Sequence, residues 1–184
     1  MRALLDRLYL GSGVLAGLFI IAIVVLIMAQ IIGRWFSIIV PSTEDFSGYF
    51  LAASSFLALA YTLREGGHIR VNIIIRNLTG KVRIWQERAV LAAGLVLAIF
   101  MAYWLTHMVW ESWSFNEMSR GYVAVPLWIP QVPVALGATI FAIALLDELV
   151  HSLRHGMPDY TRHDDELEEI NNMAQKNSDE VESK

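Results

Sequence analysis

Histidines are the residues of this sequence whose side chains could bind a metal or a haem group, and there are 5 of them. The sequence contains no cysteine, which excludes thiolate ligands, disulfides and cysteine nucleophiles. In some four-helix proteins, histidines on facing helices hold haem. Here only His107 lies within a long apolar run, near one end, whereas His68 follows the opposite end of another run. No transmembrane histidine pair is therefore expected, and His107 is interpreted as an interfacial hydrogen-bonding residue.

Carboxylates and basic side chains flank the long apolar runs and are expected to be absent from the membrane-spanning segments. Pumps and transporters usually place ionisable groups within the bilayer, where such groups are costly. Their absence argues against a small proton-coupled exporter, which needs a membrane-embedded carboxylate. It also argues against a channel with a ring of charged side chains. The sequence predicts no catalytic residues, no metal site, no cofactor and no nucleic-acid partner, and the chain is not expected to be an enzyme.

The elements that carry these residues are predicted to be four membrane-spanning helices. Hydrophobic residues make up 55% of the 184 residues and charged residues only 17%, below the roughly 25% of soluble domains. A helix needs roughly 20 apolar residues to cross a bilayer, and there it satisfies its own backbone hydrogen bonds. Spans are predicted at about 8–33, 46–63, 89–110 and 127–150. Because Pro126, Pro130 and Pro133 open the last span, its regular helix is expected from about residue 131.

The distribution of basic residues predicts the orientation of the spans. Positive charges in short loops collect on the cytoplasmic side. If both termini and the loop between spans two and three are cytoplasmic, all of the 14 lysines and arginines except Arg34 and Arg120 lie inside. This predicts a multi-pass protein of the bacterial inner membrane with cytoplasmic N- and C-termini. The tryptophans near the span ends are interpreted as interfacial anchors.

A basic, amphipathic segment at 68–85 is predicted between spans two and three. At 100° per residue, an apolar stripe falls within one arc of about 100°, opposite Arg76 and Arg83. The stripe comprises Val71, Ile74, Ile75, Leu78, Val82 and Trp85. Such a helix suits the inner headgroup layer of a membrane. Gly80 is expected to end it before a cytoplasmic extension of span three. The alternative is a basic loop that only sets topology.

The sequence directly after span two resembles a known family pattern. It reads Arg64-Glu-Gly-Gly-His-Ile-Arg-Val71. This resembles the Arg-x-Gly-x-His-Ile-x-Val-like motif of the small, DctQ-like membrane subunit of tripartite ATP-independent periplasmic (TRAP) transporters. The matching residues are Arg64, Gly66 or Gly67, His68, Ile69 and Val71, with Arg70 beside them. The acidic pair Glu44-Asp45 and the 126–130 run also look familial, and the resemblance covers roughly residues 5 to 155.

The resemblance implies a supporting role in solute uptake. In this family a periplasmic solute-binding protein captures an organic acid or related solute, and a large membrane permease subunit moves it inward with sodium. The small subunit stiffens the large one. The motif residues Arg64 to Val71 would then contact that partner or membrane lipids, or form a topogenic turn without specific contacts. An alternative function is a stand-alone four-helix membrane scaffold or sensor with a cytoplasmic partner.

The end of the chain differs from the rest in composition. Residues 159–184 are acidic and have few large apolar side chains, so they cannot bury enough surface to fold alone. We therefore predict a membrane domain at 1–158 followed by a disordered cytoplasmic tail. The predicted fold class is an all-α membrane protein with four transmembrane helices and one short interfacial helix.

Overall fold

The computed structural model describes residues 2–65 and 81–155, and four long α-helices account for most of them. These are α1 (Arg2–Trp35), α2 (Thr43–Arg64), α3 (Lys81–Ser114) and α4 (Trp128–His155). Each is long and apolar enough to cross a membrane. These two ranges contain no β-strand, although an isolated β-bridge joins Met118 and Pro126. The predicted all-α membrane class is therefore confirmed. Most of the predicted interfacial helix and the whole acidic tail lie outside the described residues.

The last helix begins earlier than its prolines suggested. The regular helix was expected from about residue 131, but α4 begins at Trp128 and includes Pro130 and Pro133. Pro130 lies in the first turn, where backbone N–H groups have no intrahelical acceptor, so its missing N–H costs nothing. Only Pro133 removes a hydrogen bond that the helix would otherwise make.

The four helices pack in the spatial order α1, α2, α4, α3. The helix α1 packs on α2, α2 packs on α4, and α4 packs on α3, while α1 reaches α4 through only a few residues. The central helices α2 and α4 are consequently the more buried ones, and α1 and α3 form the edges. Ile21 on α1 and Val96 on α3 remain 60% and 67% exposed. Both edge helices thus present broad uncovered faces within their membrane-spanning segments.

Small residues allow the central helices to approach closely. On α2, Ala53 and Ala60 are buried, and on α4 Ala138 is buried. A Cβ atom added to Gly137 would lie 2.5 Å from the carbonyl carbon of Phe56, well inside van der Waals contact. Only glycine fits there, because the obstacle is the backbone of α2 rather than a movable side chain. This contact sets the distance between α2 and α4.

Other small and polar residues of the spans differ in which atoms surround them. Gly13 lies against the ring of Tyr61, whereas Gly17 has open space around it. Hydroxyl groups within spans, such as those of Ser54 and Thr139, can form hydrogen bonds between helices. The structure shows that they donate instead to Leu51 and Ala135 of their own helices, at 2.9 and 2.8 Å. An acceptor within the same helix turn is nearer than any acceptor on a neighbouring helix.

Candidate functional site

Charged residues from several helices meet at one end of the molecule, which we call the Arg64 end. It contains the N-terminal ends of α1 and α3 and the C-terminal ends of α2 and α4. Arg64, in the last turn of α2, places its Nη2 atom 2.8 Å from Oδ1 of Asp6 on α1. The guanidinium also lies where the partial negative charge of the α2 C-terminus favours a cation. This ion pair joins the two helices at the Arg64 end.

A second arginine at the same end connects α3 to α4. Arg88 donates a hydrogen bond from Nη2 to the carbonyl oxygen of Ser152, at 2.8 Å. Carbonyl groups of the last helical turn have no intrahelical donor, and a basic side chain can supply one. Ser152 is fully buried, and Glu148, one turn earlier on α4, is only 6% exposed. Glu148 and its neighbour Asp147 both lie within the predicted span 127–150, so the expectation that the spans contain no charged side chain was wrong there.

An apolar cluster lies beneath these charges and includes residues of all four helices. Tyr9 of α1 is 2% exposed and belongs to the same buried cluster as Leu63, Leu91 and Leu145. The hydroxyl of Ser12 donates to the Tyr9 carbonyl oxygen at 2.8 Å. The cluster and the charged groups together hold the four helices in register at the Arg64 end.

The charged side chains at the Arg64 end connect neighbouring helices and therefore have a structural role. Among residues 2–65 and 81–155, no group of three or more histidines and carboxylates lies close enough to hold a metal ion. The sequence had singled out Arg64, but not Asp6, Arg88 or Glu148. Asp6 and Arg64 carry opposite charges at span ends predicted to lie on the same side of the membrane, and this signal could have suggested their pairing.

The opposite end, which we call the Ser42 end, joins the α1–α2 loop to the α3–α4 loop. Ser42 precedes α2 with a positive φ of 56°, and its Oγ accepts a hydrogen bond of 2.9 Å from the backbone N–H of Val123. The carboxylate of Asp45 lies against Gly121, so a side chain at position 121 would require this carboxylate to move. The familial Glu44-Asp45 pair occupies the first turn of α2, where the helix dipole favours negative charge.

A cavity of about 600 Å³ opens between these two loops at the Ser42 end. Gln30, the Glu44-Asp45 pair, Arg120 and Tyr122 are among the residues that line it. Tyr122 is 95% exposed at its rim. The cavity is therefore a surface recess with both polar and apolar walls, well separated from the Arg64 end.

The structure describes only part of the predicted partner- or lipid-contacting set. Arg64 is placed at the end of α2, as described above. The remaining motif residues and most of the stripe lie outside the described residues, namely Gly66, Gly67, His68, Ile69, Arg70, Val71, Ile74, Ile75 and Leu78. Val82 and Trp85 belong to the first turns of α3, and Trp85 is 73% exposed. Lys81 is the first described residue of α3, and the break predicted at Gly80 lies outside the described residues.

His107 lies on the exposed side of the edge helix α3. Its Nδ1 atom is 3.5 Å from Oε2 of Glu111, one turn further along. The side chains of His107 and Glu111 are 41% and 53% exposed. The rings of Tyr103 and Trp104 lie next to the imidazole, with centroid distances of 6.2 and 5.8 Å. The imidazole, the Glu111 carboxylate and the two aromatic rings thus form one group on the exposed side of α3.

Four helices long and apolar enough to cross a membrane, joined by charged contacts at one end, indicate a multi-pass membrane protein. The family model for tripartite ATP-independent periplasmic transporters, DctQ component, matches residues 23–155. The chain belongs to this family, whose members are the small membrane subunits of TRAP transporters. No curated protein matches the sequence. The resemblance seen in the motif at Arg64 is thereby confirmed.

Proposed function

We propose that this chain is the small permease subunit that supports a large membrane subunit in sodium-coupled uptake. The solute is an organic acid or a related compound, and a periplasmic binding protein delivers it. Membership of the DctQ family carries the proposal, because it makes the chain a component of a TRAP transporter. As a transporter component the chain acts without catalysis of its own.

The positions of the charged side chains favour a supporting role for this chain over a role in conducting the solute. The contacts by which charged side chains connect different helices lie at the Arg64 end, where Arg64 and Arg88 join neighbouring helices. Such contacts stabilise the relative positions of the helices, and in the described residues no lysine or arginine lies in the middle of a helix, where it could bind an anionic solute at mid-membrane depth. A subunit with this design adds stiffness to a partner that performs the transport.

We also propose an orientation and a location. The Arg64 end faces the cytoplasm and the Ser42 end faces the periplasm, in the inner membrane, because most basic residues of the chain flank the Arg64 end. In this orientation the motif residues Arg64 to Val71 and the stripe at 68–85 lie at the inner headgroup layer. There they contact the large subunit or anionic lipid phosphates.

Reconstitution tests the proposal directly. Proteoliposomes that contain this chain alone should show no sodium-driven solute uptake. Addition of the large subunit and the binding protein from the same gene cluster should produce uptake, and omission of this chain should abolish it. Uptake by this chain alone would contradict the supporting role. Uptake by the large subunit and binding protein without this chain would contradict the requirement for it.

A further inference from the structure

The two edge helices expose faces of different chemistry. The exposed face of α1 between Leu8 and Ile32 consists of aliphatic residues, methionine, alanine and glycine, with Ile21 and Val25 each 60% exposed. The exposed face of α3 contains Tyr103 and Trp104, which are 62% and 52% exposed. It also contains the His107–Glu111 pair. Lipid tails suit the α1 face, which offers them no polar atom.

Tyr103 and Trp104 on α3 lie deeper in the membrane than the interfacial belt of tryptophans. Trp110 and Trp113 mark the end of the uncharged run, and the centroids of their rings are 5.4 Å apart. At 1.5 Å per residue, Trp104 lies about 9 Å further along the helix axis from Trp110, towards the membrane centre. Within the described part of the chain, no hydrogen bond involves the Tyr103 hydroxyl or the Trp104 indole N–H. Hydrocarbon cannot supply hydrogen-bond partners at that depth.

We propose that this face of α3, formed by Tyr103, Trp104, His107 and Glu111, is the surface that docks the large permease subunit. The inference rests on the proposed function, which supplies such a partner. The partner is a membrane-spanning helix with an acceptor for the Tyr103 and Trp104 donors. Opposite Glu111 it presents a donor or a basic side chain. The polar tips of Tyr103 and Trp104 within the span are stabilised by such a helix and not by lipid, and the Glu111 carboxylate just beyond the end of the span gains a partner from it.

Geometry makes this face suitable for docking. Tyr103, His107 and Glu111 succeed one another at i, i+4 and i+8, so they form one stripe along the helix. Trp104 flanks the stripe and packs edge-on against both Phe100 and Tyr103, with centroid distances of 6.1 and 5.6 Å. The interlocked aromatic rings give a broad surface with little side-chain entropy to lose on binding. The stripe faces away from α4, so docking needs no rearrangement of the four helices.

Site-specific photo-crosslinking tests the inference in the assembled complex. A benzophenone amino acid replaces Trp104 in one variant and Ile21 in a matched variant of similar exposure. Each is co-expressed with the affinity-tagged large subunit from the same gene cluster. We expect an adduct with the large subunit from position 104 and none from position 21. An adduct from position 21, or an adduct of two copies of this chain from position 104, would overturn the inference.

Paired substitutions provide a second measurement. The variant Tyr103→Ala with His107→Ala should lower recovery of the chain with the tagged large subunit by about tenfold, which corresponds to a loss of about 1.4 kcal/mol. The control Ile21→Ala with Val25→Ala, also exposed residues at i and i+4, should leave recovery unchanged. Recovery is normalised to the folded protein in the membrane. If the unmodified chain is not recovered at all, the proposed function fails. If it is recovered but the α3 variant binds equally well, only the docking face is wrong.

Discussion

The guanidinium of Arg88 on α3 donates to the carbonyl oxygen of Ser152 in the last turn of α4, at a distance of 2.8 Å. These residues are far apart in sequence, and their contact fixes the ends of two neighbouring helices. Ser152 is fully buried, so water has little access to its carbonyl group. The arginine thus completes the backbone hydrogen bonding of α4 while it holds α3 in place.

Replacement of Arg88 should therefore weaken the pairing of α3 and α4. We expect Arg88→Leu to lower the free energy of unfolding in detergent by about 1–3 kcal/mol, since a buried carbonyl loses a charged donor. Arg34→Leu, at the exposed end of α1, serves as the control and should change it by less than about 0.5 kcal/mol. Equal effects of the two substitutions in a denaturant titration would show that the hydrogen bond contributes little.

Replacement of Gly137 by any larger residue should destabilise the protein. The added Cβ of Gly137→Ala would meet the backbone of Phe56 and Leu57, and the helices α2 and α4 would have to separate. We expect a loss of about 1–3 kcal/mol in the free energy of unfolding. Gly17→Ala on α1 is the matched control, because nothing lies within 4 Å of the position that its Cβ would occupy. A Gly137→Ala protein as stable as wild type would mean that the α2–α4 contact is looser than described.

Much of the helical architecture follows from the sequence, but the neighbours of each helix do not. Runs without charge, bounded by residues such as Arg7 and Arg34, predict spans because a charge inside hydrocarbon is costly. No equivalent rule selects partners between apolar helices. The spacing of Gly13 and Gly17 is typical of closely packed membrane helices, yet of the two only Gly13 meets another helix. Gly137 was not singled out, because its need for glycine arises from the backbone of a distant segment.

The candidate site was predictable only where a motif marked it. Arg64 was identified through the pattern after span two, and its partner Asp6 was not. Ion pairing depends on how two helix ends are brought together, and this requires the packing of α1 on α2 to be known. The docking face on α3 illustrates the same limit. His107 was noticed as a lone span histidine, but its exposure beside Glu111 became evident only in the structure.

Topology can be measured with reporter fusions. Fusions at Thr43 and Asn116 should report the periplasm, and fusions at Thr79 and Asp165 should report the cytoplasm, because basic loops remain inside. Reporters that are active on opposite sides, such as a phosphatase and a fluorescent protein, control for expression. A cytoplasmic signal at Asn116 would rule out the four-span topology.

The segment between spans two and three should depend on its apolar stripe more than on its charges. Burial of one large aliphatic side chain contributes roughly 1.5–3 kcal/mol, so Ile74→Glu with Leu78→Glu should markedly reduce recovery with the large subunit. Arg76→Gln with Arg83→Gln should have a smaller effect, at about 1 kcal/mol per charge towards anionic lipid. Both variants are compared at equal membrane expression. Normal assembly of the glutamate variant would favour the alternative, a loop that only sets topology.

The acidic tail should be dispensable for assembly. Residues 159–184 have too few large apolar side chains to fold alone, so truncation after Tyr160 should leave complex formation and solute uptake close to wild type. Co-purification and uptake are measured on the same preparations. Loss of the complex on truncation would point to a cytoplasmic partner and would favour the scaffold or sensor function.

The spatial order of the helices divides the molecule into two hairpins. Within each half, helices that are neighbours in sequence also pack together, α1 with α2 and α3 with α4. The two halves meet mainly through the contact between α2 and α4, which we call the seam. The first hairpin can therefore form in the membrane while the second is still being synthesised. Docking of the second hairpin along Gly137 would then be the final step of folding. Damage to this seam should leave two intact hairpins that fail to join.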